Sequence, residues 1–393
     1  MKSNSLMTRN NMTTQTFHRN RFTWLAYLML ALYGYFLNVL GPLTPFLKDE
    51  LKLSYTVSSL HFTAFAVGML LIGFGGHTLI PLIGRQRALW LGAFGMSLSA
   101  LILITGRTAV LTIGASFCMG LIGSLILVIV PSALSDQHGE SRAVALSEAN
   151  VIASLIATAA PLMVGWSANL PGGWRLALGI AALAPLLMWI GFGSAVPPEP
   201  VTSKVDSRSD SESLPVLFWV YWVTIVLAVS VEFCMISWSA DYLENSLNML
   251  RVNAAQSVSL FLGAMIVGRM AVSRLVQRFA VHHVVTASVV VAGIGFAAFW
   301  TTNIVAVGLI GLFITGLGVA GLYPLLLSLA IGVVRNTTQA SARTTLASGT
   351  AILALPLVLG RLADMVGIRQ AYGVVGVLLV GVFLITLATG RRS

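Results

Sequence analysis

The chain has 393 residues and a formal charge of +10, yet only 9% of its residues are charged and 57% are hydrophobic. Soluble domains carry roughly 25% charged residues, and the mean hydropathy here is +0.88, so a soluble enzyme or binding domain is excluded in favour of a polytopic membrane protein. The basic residues fall in short clusters between apolar runs, not in one patch, so no nucleic-acid partner is expected.

The first 21 residues are polar and basic and read as a tail. No small-residue cleavage site follows a short apolar run, so the first span is expected to be a retained anchor. Runs of about 20 apolar residues, the length that crosses ~30 Å as helix, then recur between turn-forming breaks. The expected spans are 24–46, 56–80, 87–105, 109–133, 143–167, 174–195, 215–243, 255–278, 284–300, 304–332, 344–363 and 371–389. With the N-terminus cytoplasmic, sixteen of the 23 Lys and Arg residues, Arg85, Arg87, Arg269, Arg274 and Arg278 among them, fall on the inner side. That asymmetry follows the positive-inside rule and predicts an even number of spans with both termini inside, as in a bacterial inner membrane.

Residues 195–214 are polar, mixed in charge and rich in Pro and Ser, and read as a cytoplasmic linker. They divide the chain into a 22–194 bundle and a 215–390 bundle of six helices each. The halves also repeat. Ala160-Pro161-Leu162-Met163-Val164-Gly165 is followed by Gly173-Trp174-Arg175, and Leu355-Pro356-Leu357-Val358-Leu359-Gly360 by Gly367-Ile368-Arg369. Gly120 and Pro131 of the fourth span face Gly316 and Pro324 of the tenth at nearly the same offset, which predicts a parallel duplication.

Six plus six helices, a polar central linker and cytoplasmic ends resemble the major facilitator superfamily, and local motifs agree. Gly76 to Gly92, between spans two and three, resembles the superfamily's loop signature at Gly84, Arg85 and Arg87. The usual loop carboxylate is replaced by Ile80 or Pro81. Gly268-Arg269 with Arg274 and Arg278 is a fainter echo. The cations read either as a gate latch or as a topology anchor. Ser116 stands where drug/proton antiporters of the superfamily carry an arginine, which lowers that subclass. Glu232, Trp238 and Tyr242-Leu243 in span seven resemble a pattern of some sugar/proton symporters.

By that resemblance spans one, four, seven and ten line the solute cavity. Their candidate residues are Tyr35 and Asn38, Ser116 and Ser124, Glu232 and Trp238, and Thr315 and Tyr323. Glu232 lies about three residues, roughly 5 Å, from the middle of its span. A carboxylate at that depth is costly and suits a coupling or solute-binding role; the competing reading is a packing group bonded to a neighbouring helix. No charged partner for it is evident. Glu148 reads as a helix-dipole residue, His61 and the cysteines Cys118 and Cys234 as packing residues. No metal cluster, nucleophile–base set or nucleotide loop occurs, so no cofactor, no metal and no enzymatic activity are expected.

These observations predict an all-α membrane protein, twelve helices in two pseudo-symmetric bundles. It would act as a monomer in the lipid bilayer and carry a small organic solute by alternating access, with protons as the coupling ion and a sugar-like or other small polar metabolite as cargo. A drug or metabolite exporter, or a solute sensor without transport, are the alternatives.

Overall fold

A computed structural model describes residues 18–199, 214–334 and 337–390. Residues 1–17 of the expected tail, 200–213 of the expected linker, and Arg391 and Arg392 lie outside the described residues. Among the described residues eleven stretches are long and apolar enough to cross a membrane. One of them, Ala109–Ala168, runs 60 residues and is divided at Gly139–Ser141 by a 3-10 turn, so the chain crosses twelve times.

The first half comprises α1 (Arg21–Leu51), α2 (Tyr55–Ile83), α3 (Arg85–Thr105), α4 (Ala109–His138), α5 (Arg142–Ala168) and α6 (Arg175–Phe192). The second comprises α7 (Val216–Leu247), α8 (Arg251–Leu275), α9 (Val281–Thr301), α10 (Val305–Gly332), α11 (Thr337–Val366) and α12 (Ile368–Gly390). Starts follow local chemistry. Asn20, Ser54 and Thr108 each accept a hydrogen bond from a backbone N–H three residues on, which caps α1, α2 and α4. The α10 helix breaks at Ala320–Gly321, where the ring of Pro324 excludes the carbonyl four residues before it. Because crossings alternate, α1 and α7 start on the face where α6 and α12 end; this is the linker face, and the other is the far face.

The two halves repeat one another in contacts as well as in order. Gly120 of α4 lies against the α2 backbone, where a methyl group would overlap the Phe65 carbonyl oxygen. Gly316 of α10 meets Phe261 of α8 in the same way, and both partners are displaced by 196 residues (120 to 316, 65 to 261). At the far face, Gly173 and Gly367 turn the chain with φ of +63° and +84°, a region that favours glycine. Two residues later Arg175 donates from Nε to the Ile104 carbonyl at 2.9 Å, and Arg369 from Nη2 to the Thr302 carbonyl at 3.3 Å. Each arginine thus ties the start of its half's last helix to the end of its third.

Across the halves, α1 packs on α7, α2 on α11 and α5 on α8. One contiguous apolar core includes residues of both, from Tyr27 and Phe65 to Trp238 and Phe299. Lipid-facing Leu, Ile and Val side chains remain on the outer surfaces, as hydrocarbon requires.

Since Gly120 and Gly316 occupy equivalent crossings, Gly120→Ala and Gly316→Ala are expected to destabilise the protein similarly, by about 1–3 kcal/mol each. Gly293 has open space where a Cβ would stand, so Gly293→Ala is expected to be neutral or stabilising. Thermal unfolding of the three purified variants in detergent checks this; an undiminished Tm for Gly120→Ala would contradict the close crossing.

Candidate functional site

Near mid-depth, α1, α5, α7 and α8 enclose a cavity of about 120 Å³. The second half supplies its charged wall, Glu232 of α7 and Arg269 of α8. The first half supplies a neutral polar wall of Asn38, Ser154 and Thr158. Arg269 Nη2 stands 4.0 Å from Glu232 Oε1, and Arg269 Nη1 donates to Ser154 Oγ at 3.3 Å, bridging the halves. The Glu232 side chain is 18% exposed and that of Arg269 47%. Asn38 lines the cavity with its amide donating to the Gly34 carbonyl at 2.8 Å.

Toward the far face the space narrows to an apolar gap of about 10 Å³ among Leu40, Gly41, Phe62, Phe65 and Ile236. Gly41 lets the α1 backbone touch α7, since a methyl there would overlap the Ile236 carbonyl. Beyond this plug lies a polar closure. Lys48 of α1 is ion-paired with fully buried Asp241 of α7. The same ammonium sits 3.8 Å above the Tyr55 ring, and Tyr55 and Phe62 flank Trp238 at 5.6 and 6.0 Å between ring centres. Asp364, in the last turn of α11, accepts the backbone N–H groups of Tyr55 and Thr56 at 2.8 and 2.9 Å. It thereby caps the N-terminus of α2, where a negative charge is favoured. Arg251 of α8 joins Asp49 of α1 to Glu244 of α7.

Of the residues expected from the sequence, Glu232 and Asn38 come together in the cavity. Tyr35 donates its hydroxyl to the Ala177 carbonyl at 2.9 Å, buried against α6. The Trp238 indole donates to the Pro356 carbonyl at 3.1 Å, so its ring belongs to the far-face closure. Tyr323 is half-buried beside a second apolar cluster on the linker side of the second half. Ser116, Ser124 and Thr315 direct their hydroxyls to carbonyls of their own helices. His61 bonds Ser58 O at 3.0 Å and Thr112 Oγ1 at 2.9 Å, a packing arrangement. Glu148 is tied to Arg19 and to the Tyr27 hydroxyl.

Two sequence expectations need correction. Glu232 does have a charged neighbour in the helices, Arg269, which the charge count assigned to the inner-side cations. The structure places Arg269 six residues before the end of α8, about 9 Å inside it. The loop arginine likewise has its carboxylate. Gly84 turns between α2 and α3 with φ of +83°, and Arg85 pairs with Asp136 of α4 at 2.6 Å and donates to the Pro198 carbonyl at 3.0 Å. The acidic partner comes from α4 and not from the loop itself, while Arg87 is exposed. Among the described residues no group of three or more His, Cys, Asp or Glu is placed to hold a metal.

A sequence model of the Major Facilitator Superfamily matches residues 26–349. A putative metabolite transport protein of Bacillus subtilis (strain 168), YwtG, is 28% identical over 162 residues, 41% of this chain and 35% of that protein; the match thus spans about a third of the relative's length. Among solved structures, a bacterial homologue of the human lysosomal transporter Spinster, inward-facing and occupied, superposes with a TM-score of 0.81. It is 13% identical, with 94% of this chain and 96% of that chain covered. A D-xylose-proton symporter superposes with a TM-score of 0.75 at 15% identity, covering 93% and 96%.

The closure supplies a test. Charge-assisted hydrogen bonds contribute about 1.5–3 kcal/mol each, so Asp364→Ala is expected to shift the population at least tenfold toward a far face that is open. Spin labels at Val110 and Ile304, exposed far-face positions in the two halves, would read a longer-distance component in the variant. An unchanged distance distribution would mean that the cap on α2 does not hold the far face shut.

Proposed function

The chain belongs to the major facilitator superfamily, whose members are transporters, and from that premise we propose that it carries a small polar solute through the cavity at Glu232 and Arg269 by proton-coupled alternating access. In this reading the bundles 22–194 and 215–390 rock against each other, and the described structure is the state closed at the far face. The linker face is the cytoplasmic one, both termini included, in a bacterial inner membrane, and the protein works as a monomer.

The observation that carries the reading is a carboxylate and a guanidinium sharing one small cavity where both halves meet. Intramembrane charges are expensive and cluster on solute and proton pathways. Here the cavity leads toward a far face sealed by contacts that cross between the halves, the arrangement a rocking transporter must make and break. Glu232 is the proton-carrying group in this mechanism, with Arg269 setting its charge balance and Asn38 a first-half contact for the solute. Gly84, Arg85 and Arg87 form the linker-face junction, where the Arg85–Asp136 pair holds the α2–α3 turn to α4.

Several solved relatives transport small polar molecules by their own descriptions, including D-xylose and nucleosides, which supports that solute class here. Of the pattern Glu232, Trp238 and Tyr242-Leu243 that suggested a sugar-like cargo, Glu232 alone lines the cavity. Trp238 and Tyr242 bond Pro356 and Trp300 carbonyls and face neither the cavity nor its mouth. Broad hydrophobic export fits poorly with a charged cavity of this size.

Flux in proteoliposomes is the deciding measurement. Wild-type protein is expected to accumulate solute against its gradient when a proton gradient is imposed. Glu232→Gln is expected to lose accumulation while retaining solute exchange. Accumulation by Glu232→Gln at the wild-type level would remove Glu232 from coupling, and ligand binding without any flux would make the protein a sensor.

A further inference from the structure

The pair in the cavity is not a closed one. Charge-assisted N–H···O bonds run 2.7–2.9 Å, and Glu232 and Arg269 are 4.0 Å apart. Among the described residues neither Glu232 carboxylate oxygen accepts a hydrogen bond. Arg269 has five donors, of which one reaches Ser154 Oγ at 3.3 Å. An acceptor-only group and a donor-only fork therefore face the same 120 Å³, each with capacity to spare. The remaining polar walls, Asn38, Ser154 and Thr158, carry no charge.

An occupant that satisfies both must present an acceptor to Arg269 and, from the adjacent carbon, a donor to Glu232. A planar carboxylate matches the guanidinium fork with two parallel hydrogen bonds and neutralises its charge, which hydroxyl oxygens do not. The cavity, about 120 Å³, accommodates a compact headgroup between the two charges. From this geometry we infer that the solute is a compact organic acid, whose carboxylate binds Arg269 and whose adjacent hydroxyl or ammonium donates to Glu232. The inference deepens the transport reading and rests on it for the role of the cavity, but its test is binding, not flux.

The test is thermal unfolding of the full-length protein in detergent, titrated with glycolate, glycine, acetate, glycolamide and xylose. Glycolate or glycine is expected to raise Tm, and which of them does so separates hydroxyl from ammonium. Acetate lacks the donor and glycolamide lacks the carboxylate. Each is expected to bind at least about tenfold more weakly than the better of the two acids, the size of a lost charge-assisted hydrogen bond. Arg269→Gln should shrink the distinction between glycolate and glycolamide, and Glu232→Gln the distinction between glycolate and acetate, each losing its charge assistance. Arg269→Lys keeps the charge without the fork and should retain part of the carboxylate response, which gives a readout if Arg269→Gln does not fold.

Xylose binding better than both acids, or no response of the wild-type protein to either acid, overturns the inference. So does an Arg269→Gln protein that still separates glycolate from glycolamide by the wild-type factor. These failures leave transport itself intact. Acids that bind but never cross a proteoliposome membrane sink the transport reading alone.

Discussion

Lys48, Asp49 and Glu50 leave the last turn of α1 about 100° apart, and each meets an opposite charge on a different element. Lys48 reaches Asp241 on α7, Asp49 reaches Arg251 on α8, and Glu50 reaches Arg175 at the start of α6. The first two bonds cross from one half of the protein to the other; the third anchors the turn within its own half. With Asp241 fully buried and the Lys48 side chain only 12% exposed, parting this pair strands two charges unless water enters with the motion. Such a contact favours two discrete arrangements, sealed or opened, over gradual loosening.

The seal sits above a graded path. Below the ionic tier come Tyr55, Trp238 and Phe62, then the apolar plug around Gly41, and then the cavity with Glu232 and Arg269. Polarity thus falls and rises again with depth. Apolar plugging close to the charged cavity keeps water from bridging it to the far face, and the glycines that allow helix backbones to touch make the plug tight. The duplicated contacts, Gly120 on Phe65 and Gly316 on Phe261, give both halves the same rigid crossing. In the proposed rocking mechanism this would let each half tilt as a unit with its internal packing unchanged.

Much of this was legible in the residue order. Twelve apolar runs, the offset between Pro161 and Pro356, and Gly173-Trp174-Arg175 against Gly367-Ile368-Arg369 carried the span count, the duplication and the superfamily. Glu232 was conspicuous because one carboxylate in a long apolar helix needs a reason. Arg269 was missed because an arginine near the end of an apolar run has the same appearance whether it faces headgroups or a cavity. Trp238 and Tyr35 lie outside the cavity lining in the described state, each with its polar atom bonded to a neighbouring carbonyl, a placement that an aromatic in an apolar helix does not announce.

Sequence by itself determined what each segment can be, because crossing hydrocarbon demands about twenty apolar residues and helix-satisfied backbone groups, and those demands are local. Only the tertiary structure decided which charges meet. Asp136 with Arg85, Asp364 with the first turn of α2, and Arg269 with Glu232 join residues 51, 308 and 37 positions apart or more. No local pattern encodes a pairing set by helix rotation and crossing, and it is at those crossings that the cavity and its closure are made.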